Sequence, residues 1–292
     1  MNSPVTELIR RRFSCRRHPE RPIQAETKQK LQTCLNELKV GPFGAEVRFL
    51  LLSATEQDRQ ELKDVGTYGV IKNAAGFIVG AVGPGPKNLE DFGYLMERAI
   101  LCATDLDLGT CWLGGSFTKS SFAKKIGATA AELVPAVTSL GYVAETSQAE
   151  DWIRRRAGSA NRLPAEQLFF EEQFGNPLPG EAVGEFAVVL DMVRWAPSAS
   201  NKQPWRIVHA GGLWHFYLQR TPGYGKDSLL GKLLGVADVQ RVDLGIAMCH
   251  FELTMQELGV PGCWIIREPA LAKPDRHTEY VASWSAGSAL PE

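Results

Sequence analysis

Two stretches of the chain carry the same apolar stripe. Phe92, Leu95, Met96, Ala99, Ile100, Ala103 and Leu106 recur at i, i+3, i+4, i+7, i+8, i+11 and i+14, the spacing that lines up one face of an α-helix. Leu244, Ala247, Met248, Phe251, Met255 and Leu258 repeat nearly the same pattern further along. Each predicted helix leads through a turn into a short Trp-containing strand, Cys111 to Leu113 and Cys263 to Ile266. Apolar runs at Val47 to Leu52 and Trp205 to Val208, each after a predicted helix and turn, extend the parallel, and a strand over Ala136 to Tyr142 closes the first half. Between the halves lies a polar segment, about Thr146 to Gly180, with Arg154, Arg155, Arg156 and Arg162 ahead of a helix predicted over Pro164 to Phe174. It reads as a crossover arm. Helices and short strands alternate without βαβ spacing, so the expected architecture is an α+β layer fold repeated twice, with halves 1–162 and 163–292.

The repeat is also written in identities. Sliding the chain by 152 positions sets Asp91 to Trp112 against Asp243 to Trp264, and Asp, Gly, Met, two Leu, Cys and Trp coincide. Composition alone would give roughly one or two matches in such a window, so the halves descend from a duplication.

The 292 residues leave room for two modest domains, and 44% hydrophobic with 22% charged residues is the balance of a globular chain. A net charge of −1 gives no overall field toward nucleic acid or an anionic membrane, so any anion site must be local. The longest apolar stretches, Phe49 to Leu52 and Gly76 to Val82, fall far short of the ~18 residues that suggest a membrane span. The opening residues show no apolar core of a secretory signal, and a cytoplasmic location is the expectation. Six cysteines, at 15, 34, 102, 111, 249 and 263, form no C-x-x-C pair and are expected to be mostly buried thiols. The five histidines stand singly without ligand spacing, so no metal centre is predicted.

Candidate chemistry lies in two segments. Arg12, Ser14 and Arg16 alternate, so an extended backbone would turn two guanidinium forks and a hydroxyl to one side, an arrangement suited to a phosphate. Both arginines are expected at the surface of a cleft. Glu172, Phe174 and Asn176 read as the matching positions of the second half, where a phosphate would be repelled. The opposite asymmetry holds for Pro197 to Trp205, a rigid loop rich in hydrogen-bonding groups, whose counterpart Gly41 to Val47 is shorter and plainer. Taken singly, the arginines could form a solvated face or a weak nucleic-acid patch, and the loop an ordinary turn around a core Trp205. Taken together, complementary losses in the two copies point to one shared cleft.

At these residues the chain resembles the nitroreductase family, flavoprotein oxidoreductases that usually work as homodimers with FMN at the subunit interface. Arg12-Phe-Ser14-Cys-Arg16 resembles the family's Arg-x-Ser-x-Arg/Lys signature, Pro197 to Trp205 its P-S-x-x-N-x-Q-P-W loop, and Leu106 to Gly115 its L-G-L-G-T-x-W-x-G-G segment. The likeness is greatest to the branch in which two such halves are fused, making the dimer an intramolecular pseudo-dimer with one remaining flavin site, active as a monomer. The resemblance implies that Arg12, Ser14 and Arg16, with Phe13 among them, contact the FMN phosphate, ribityl chain or pyrimidine edge. It implies likewise that Pro197, Ser198, Ala199 and Asn201 approach the ring from the other half, and that backbone N–H groups near Gly114 and Gly115 face the flavin. Arg162 precedes Leu-Pro-Ala-Glu-Gln-Leu as a basic residue precedes the family's K/R-x-P-x-E-x-L helix start, and it becomes the further phosphate candidate. Phe13 stands where the family is usually polar or basic, and His18 where an aromatic is common. The implied activity is hydride transfer from NADH or NADPH through FMN to an electron-poor acceptor such as a nitroaromatic or quinone, with no catalytic side chain named. The alternative is a non-catalytic flavin-binding or sensor protein with the same fold.

Overall fold

Both striped segments form the longest helices of the structure. The computed structural model describes residues 1–55, 71–114, 121–144, 161–224 and 237–287. The first half contains helices α1 (Val5–Arg11), α2 (Ala25–Glu37), α3 (Asn88–Asp105) and α4 (Ser121–Lys125). Its strands are β1 (Val47–Ser53), β2 (Gly76–Val82), β3 (Leu108–Gly114) and β4 (Ala136–Tyr142). The second half contains β5 (Phe169–Glu171), α5 (Gly180–Val183), α6 (Ala187–Trp195), β6 (Trp205–Ala210), β7 (Leu213–Gln219), α7 (Val239–Glu257), β8 (Gly262–Ile265) and β9 (Thr278–Ala286).

The sheets carry the duplication beyond the window where identities reveal it. The first has the order β1-β2-β4-β3, and the second β5-β6-β7-β9-β8. Without β5, the second order is the first one again, and each of those neighbouring pairs is antiparallel. The fold is thus an α+β unit present twice, an intramolecular pseudo-dimer. Among the described residues no helix is long and apolar enough to cross a membrane.

The two long helices cross at close range. A Cβ on Gly93 of α3 would fall onto the carbonyl oxygen of Val242 in α7, and a Cβ on Gly245 of α7 onto that of Glu90 in α3. Gly93 and Gly245 are 152 positions apart, as are Glu90 and Val242, so one contact is the other seen across the pseudo-twofold. Around it the apolar faces merge into one core that takes Phe92, Met96 and Ile100 from one half and Leu244, Met248 and Phe251 from the other. Buried Glu90 answers Arg241 across the crossing, with Nε donating at 2.9 Å.

Three expectations need correction. The helix predicted over Pro164 to Phe174 is a single 3₁₀ turn, Ala165–Gln167, followed by β5, because buried Leu168 and Phe169 place this backbone where the edge of β6 can satisfy it. That placement also undoes the match of Glu172, Phe174 and Asn176 to the basic segment. Ser14 bridges Thr110 on β3, whereas β5 lies along β6, at the opposite edge of the equivalent sheet. Finally, Cys34 of α2 and Cys102 of α3 are joined in a disulfide, which 68 residues of separation did not announce. Cys15, Cys111 and Cys249 are buried thiols as expected. Arg154, Arg155 and Arg156 lie outside the described residues.

Helix propensity alone would credit Gly93→Ala or Gly245→Ala with about 1 kcal/mol of added stability. The backbone contact reverses the sign. Each variant should lose about 3 kcal/mol or more in denaturant unfolding, and a variant at least as stable as wild type would contradict the crossing described.

Candidate functional site

The basic segment leaves α1 as extended chain. Arg12 adopts φ −64° and ψ 130°, and the chain then runs beside β3, with Cys15 N–H donating to the Thr110 carbonyl at 2.7 Å. Farther on, the Arg16 carbonyl accepts from Lys72 N–H at 2.8 Å. Cys15 is fully buried, so its neighbours Ser14 and Arg16 point the other way.

The opposing wall is the loop after α6. Ser198 is extended, while Ser200, Asn201 and Gln203 hold left-handed φ values of 50°, 53° and 48°. Side chains other than glycine seldom accept that region, and such runs persist only where surrounding bonds over-determine them. Here the bonds are present. Ser198 Oγ accepts from Gln203 N–H at 2.8 Å, and Gln203 Oε1 from Leu163 N–H at 2.9 Å. Asn201 Nδ2 donates to the Asn161 carbonyl at 2.9 Å, and Tyr224 donates its hydroxyl hydrogen to Ser200 Oγ at 2.9 Å. Asp243 of α7 accepts Ala199 N–H at 2.9 Å.

Between these walls opens a cleft. Of the residues singled out in the sequence, Arg12, Phe13, Ser14, Arg16, Arg162, Pro197, Ser198 and Asn201 all line it, and Trp195 and Ser200 join them. Three do not. Ala199 spends its N–H on Asp243 and supports the loop from behind. Gly114 ends β3, where a Cβ would stand 3.4 Å from Val239, and it is not part of the lining. Gly115 lies outside the described residues.

Among the described residues the lining carries three guanidinium groups and no carboxylate. Arg162 donates to Asn201 Oδ1 at 3.2 Å and to the Trp195 carbonyl at 3.3 Å, with its charge 5.4 Å from the centre of the Trp195 ring. Arg12 differs from the expectation of a cleft-surface residue, since only 6% of its side chain is exposed and its Nε lies 3.5 Å from wholly buried Glu97. Glu97 also accepts from Trp112 Nε1–H at 2.7 Å and meets His250 Nε2 at 3.0 Å. Burial opposes its charge, yet the His250 hydrogen bond, the Arg12 charge and Trp112 together bring its pKa below the ordinary value. The other His250 nitrogen, Nδ1, is 2.9 Å from the Met192 carbonyl.

Sequence reasoning missed Glu97, His250 and Trp195, because a lone polar or aromatic residue on a helix carries no pattern. Asp243 did leave a signal, as the first of the identities shared with the other half.

Comparison with known proteins follows the same outline. The model of the family described as "Putative TM nitroreductase" matches residues 4–255. A "putative nitroreductase" of Thermotoga maritima, 20% identical, aligns over 98% of this chain and 94% of its own with a TM-score of 0.59. Another, from Desulfovibrio desulfuricans and in complex with FMN, is 21% identical and aligns over 61% of this chain and 100% of its own, with a TM-score of 0.46. None of the curated proteins matches. With the family match running through both copies of the fold and both walls of the cleft, the chain belongs to the TM nitroreductase family.

Proposed function

We propose that the chain is an FMN-dependent oxidoreductase with one flavin site, set in the cleft shared by halves 1–162 and 163–292. The observation that carries this reading is the convergence of Arg12, Ser14, Arg16 and Arg162 with Pro197, Ser198 and Asn201 on one cleft. The donor set fits a phosphorylated flavin. A phosphate dianion needs local positive charge, and a chain with net charge −1 concentrates three arginines here without a carboxylate among the described lining residues. Buried Arg12 Nε makes no hydrogen bond among the described residues, although Glu97 stands near, so its guanidinium has donor capacity left for an anion.

On this reading Arg12, Arg16 and Arg162 would hold the phosphate, with Ser14 beside them. Phe13 would add apolar wall, and Pro197, Ser198 and Asn201 would border the ring. When bound, FMN would supply the redox chemistry, hydride transfer from NADH or NADPH to an electron-poor small molecule such as a nitroaromatic or quinone. The side chains bind, orient and exclude water, and none is assigned a proton-transfer role.

The direct test is anaerobic addition of NADH or NADPH to the FMN-loaded protein. The expected result is loss of the visible flavin bands and their return when a quinone is added. FMN that stays oxidised with both nucleotides would overturn the reductase reading and leave a flavin-binding role. The phosphate assignment has its own test in Arg16→Ala. Loss of one charge-assisted contact of about 1.5–3 kcal/mol should weaken FMN by about 10- to 150-fold. Riboflavin, which lacks the phosphate, should bind as it does to wild type. Unchanged FMN affinity would contradict the assignment.

A further inference from the structure

The duplicated helices carry an aspartate at the same place, and the two have different tasks. Asp91 of α3 and Asp243 of α7 are 152 positions apart, and both are buried. Each accepts backbone N–H groups from the loop ahead of the first strand of its repeat. Asp91 takes Phe43 N–H on Oδ1 at 2.9 Å and Ala45 N–H on Oδ2 at 2.8 Å. Asp243 takes Ala199 N–H on Oδ1, while its Oδ2 has no hydrogen-bond partner among the described residues. The loop held by Asp243 lines the cleft, and the loop held by Asp91 does not.

We propose that Asp243 is a positioning residue for the cofactor, fixing through Ala199 N–H the left-handed run of Ser200, Asn201 and Gln203 as one wall of the cleft. The inference rests on the reading that this cleft takes FMN. Most other bonds of the run stay within the loop or reach the adjoining segments at 161–163 and Tyr224. Asp243 instead ties it to α7, the helix that crosses α3 at Gly245 and carries His250 against Glu97. Through that bond the loop keeps a fixed position relative to Arg12 on the opposite wall. Burial, with nearby Asp238 adding to it, raises the Asp243 pKa well above the usual carboxylate range.

The design offers its own control, because a merely structural aspartate should behave alike in both copies. FMN affinity would be measured on the full chain by quenching of flavin fluorescence, beside the thermal midpoint of each variant. Asp243→Ala and Ala199→Pro should each weaken FMN at least tenfold. Asp243→Asn, which keeps an oxygen acceptor for Ala199 N–H, should bind within threefold of wild type. Asp91→Ala should lower the thermal midpoint and still bind FMN as wild type does. If Asp243→Ala does not fold, Ala199→Pro decides, since it deletes the donor without opening the core and Ser198 (φ −143°, ψ 156°) already has the backbone a following proline prefers. Wild-type affinity in Ala199→Pro, equal losses in Asp91→Ala and Asp243→Ala, or a tenfold loss in Asp243→Asn would each overturn the positioning role. A wild-type chain that takes no FMN would overturn the cofactor reading and this one with it.

Discussion

Where α3 and α7 cross, two backbones touch at points that admit no side chain, Gly93 against Val242 and Gly245 against Glu90. Everything else in the molecule is arranged around that contact. It brings two amphipathic helices close enough for their stripes to share one core, and it makes the relation between the halves a packed, twofold-like interface. A duplicated sequence without it would be two domains on a string. The burial that follows is large because each helix presents apolar side chains to its own sheet and to the other helix at once.

The cleft depends on the same crossing. Arg12 comes from the first half, and its buried counter-charge Glu97 lies on α3. Glu97 in turn meets His250 on α7, and the opposing loop is moored to α7 by Asp243. Both walls are therefore referred to one pair of helices. A buried carboxylate with three partners is worth little as a source of net stability, but it costs much to disturb. It fits a role in holding an arginine at one place and angle.

The sequence made the repeating parts of this structure legible. Strands at Val47–Ser53 and Ala136–Tyr142 fall where the apolar runs place them, and both stripes are helices. The basic segment and the Pro197 to Trp205 loop meet in space because each pattern serves one face of a cleft. What escaped was set by tertiary context. The short apolar segment at Leu168 to Phe170 fits helix or strand, and only the open edge of β6 decides between them. Cys34 and Cys102 meet through the packing of α2 on α3, which no spacing encodes. Glu97 carries no sequence pattern, and only the fold brings Arg12, Trp112 and His250 around it.

The central claim is that the duplication leaves one complete flavin site within a single chain. Native mass spectrometry of the protein with excess FMN tests it most directly. The account predicts one FMN on a monomer. Two FMN per chain, or FMN found only on a dimer, would contradict it.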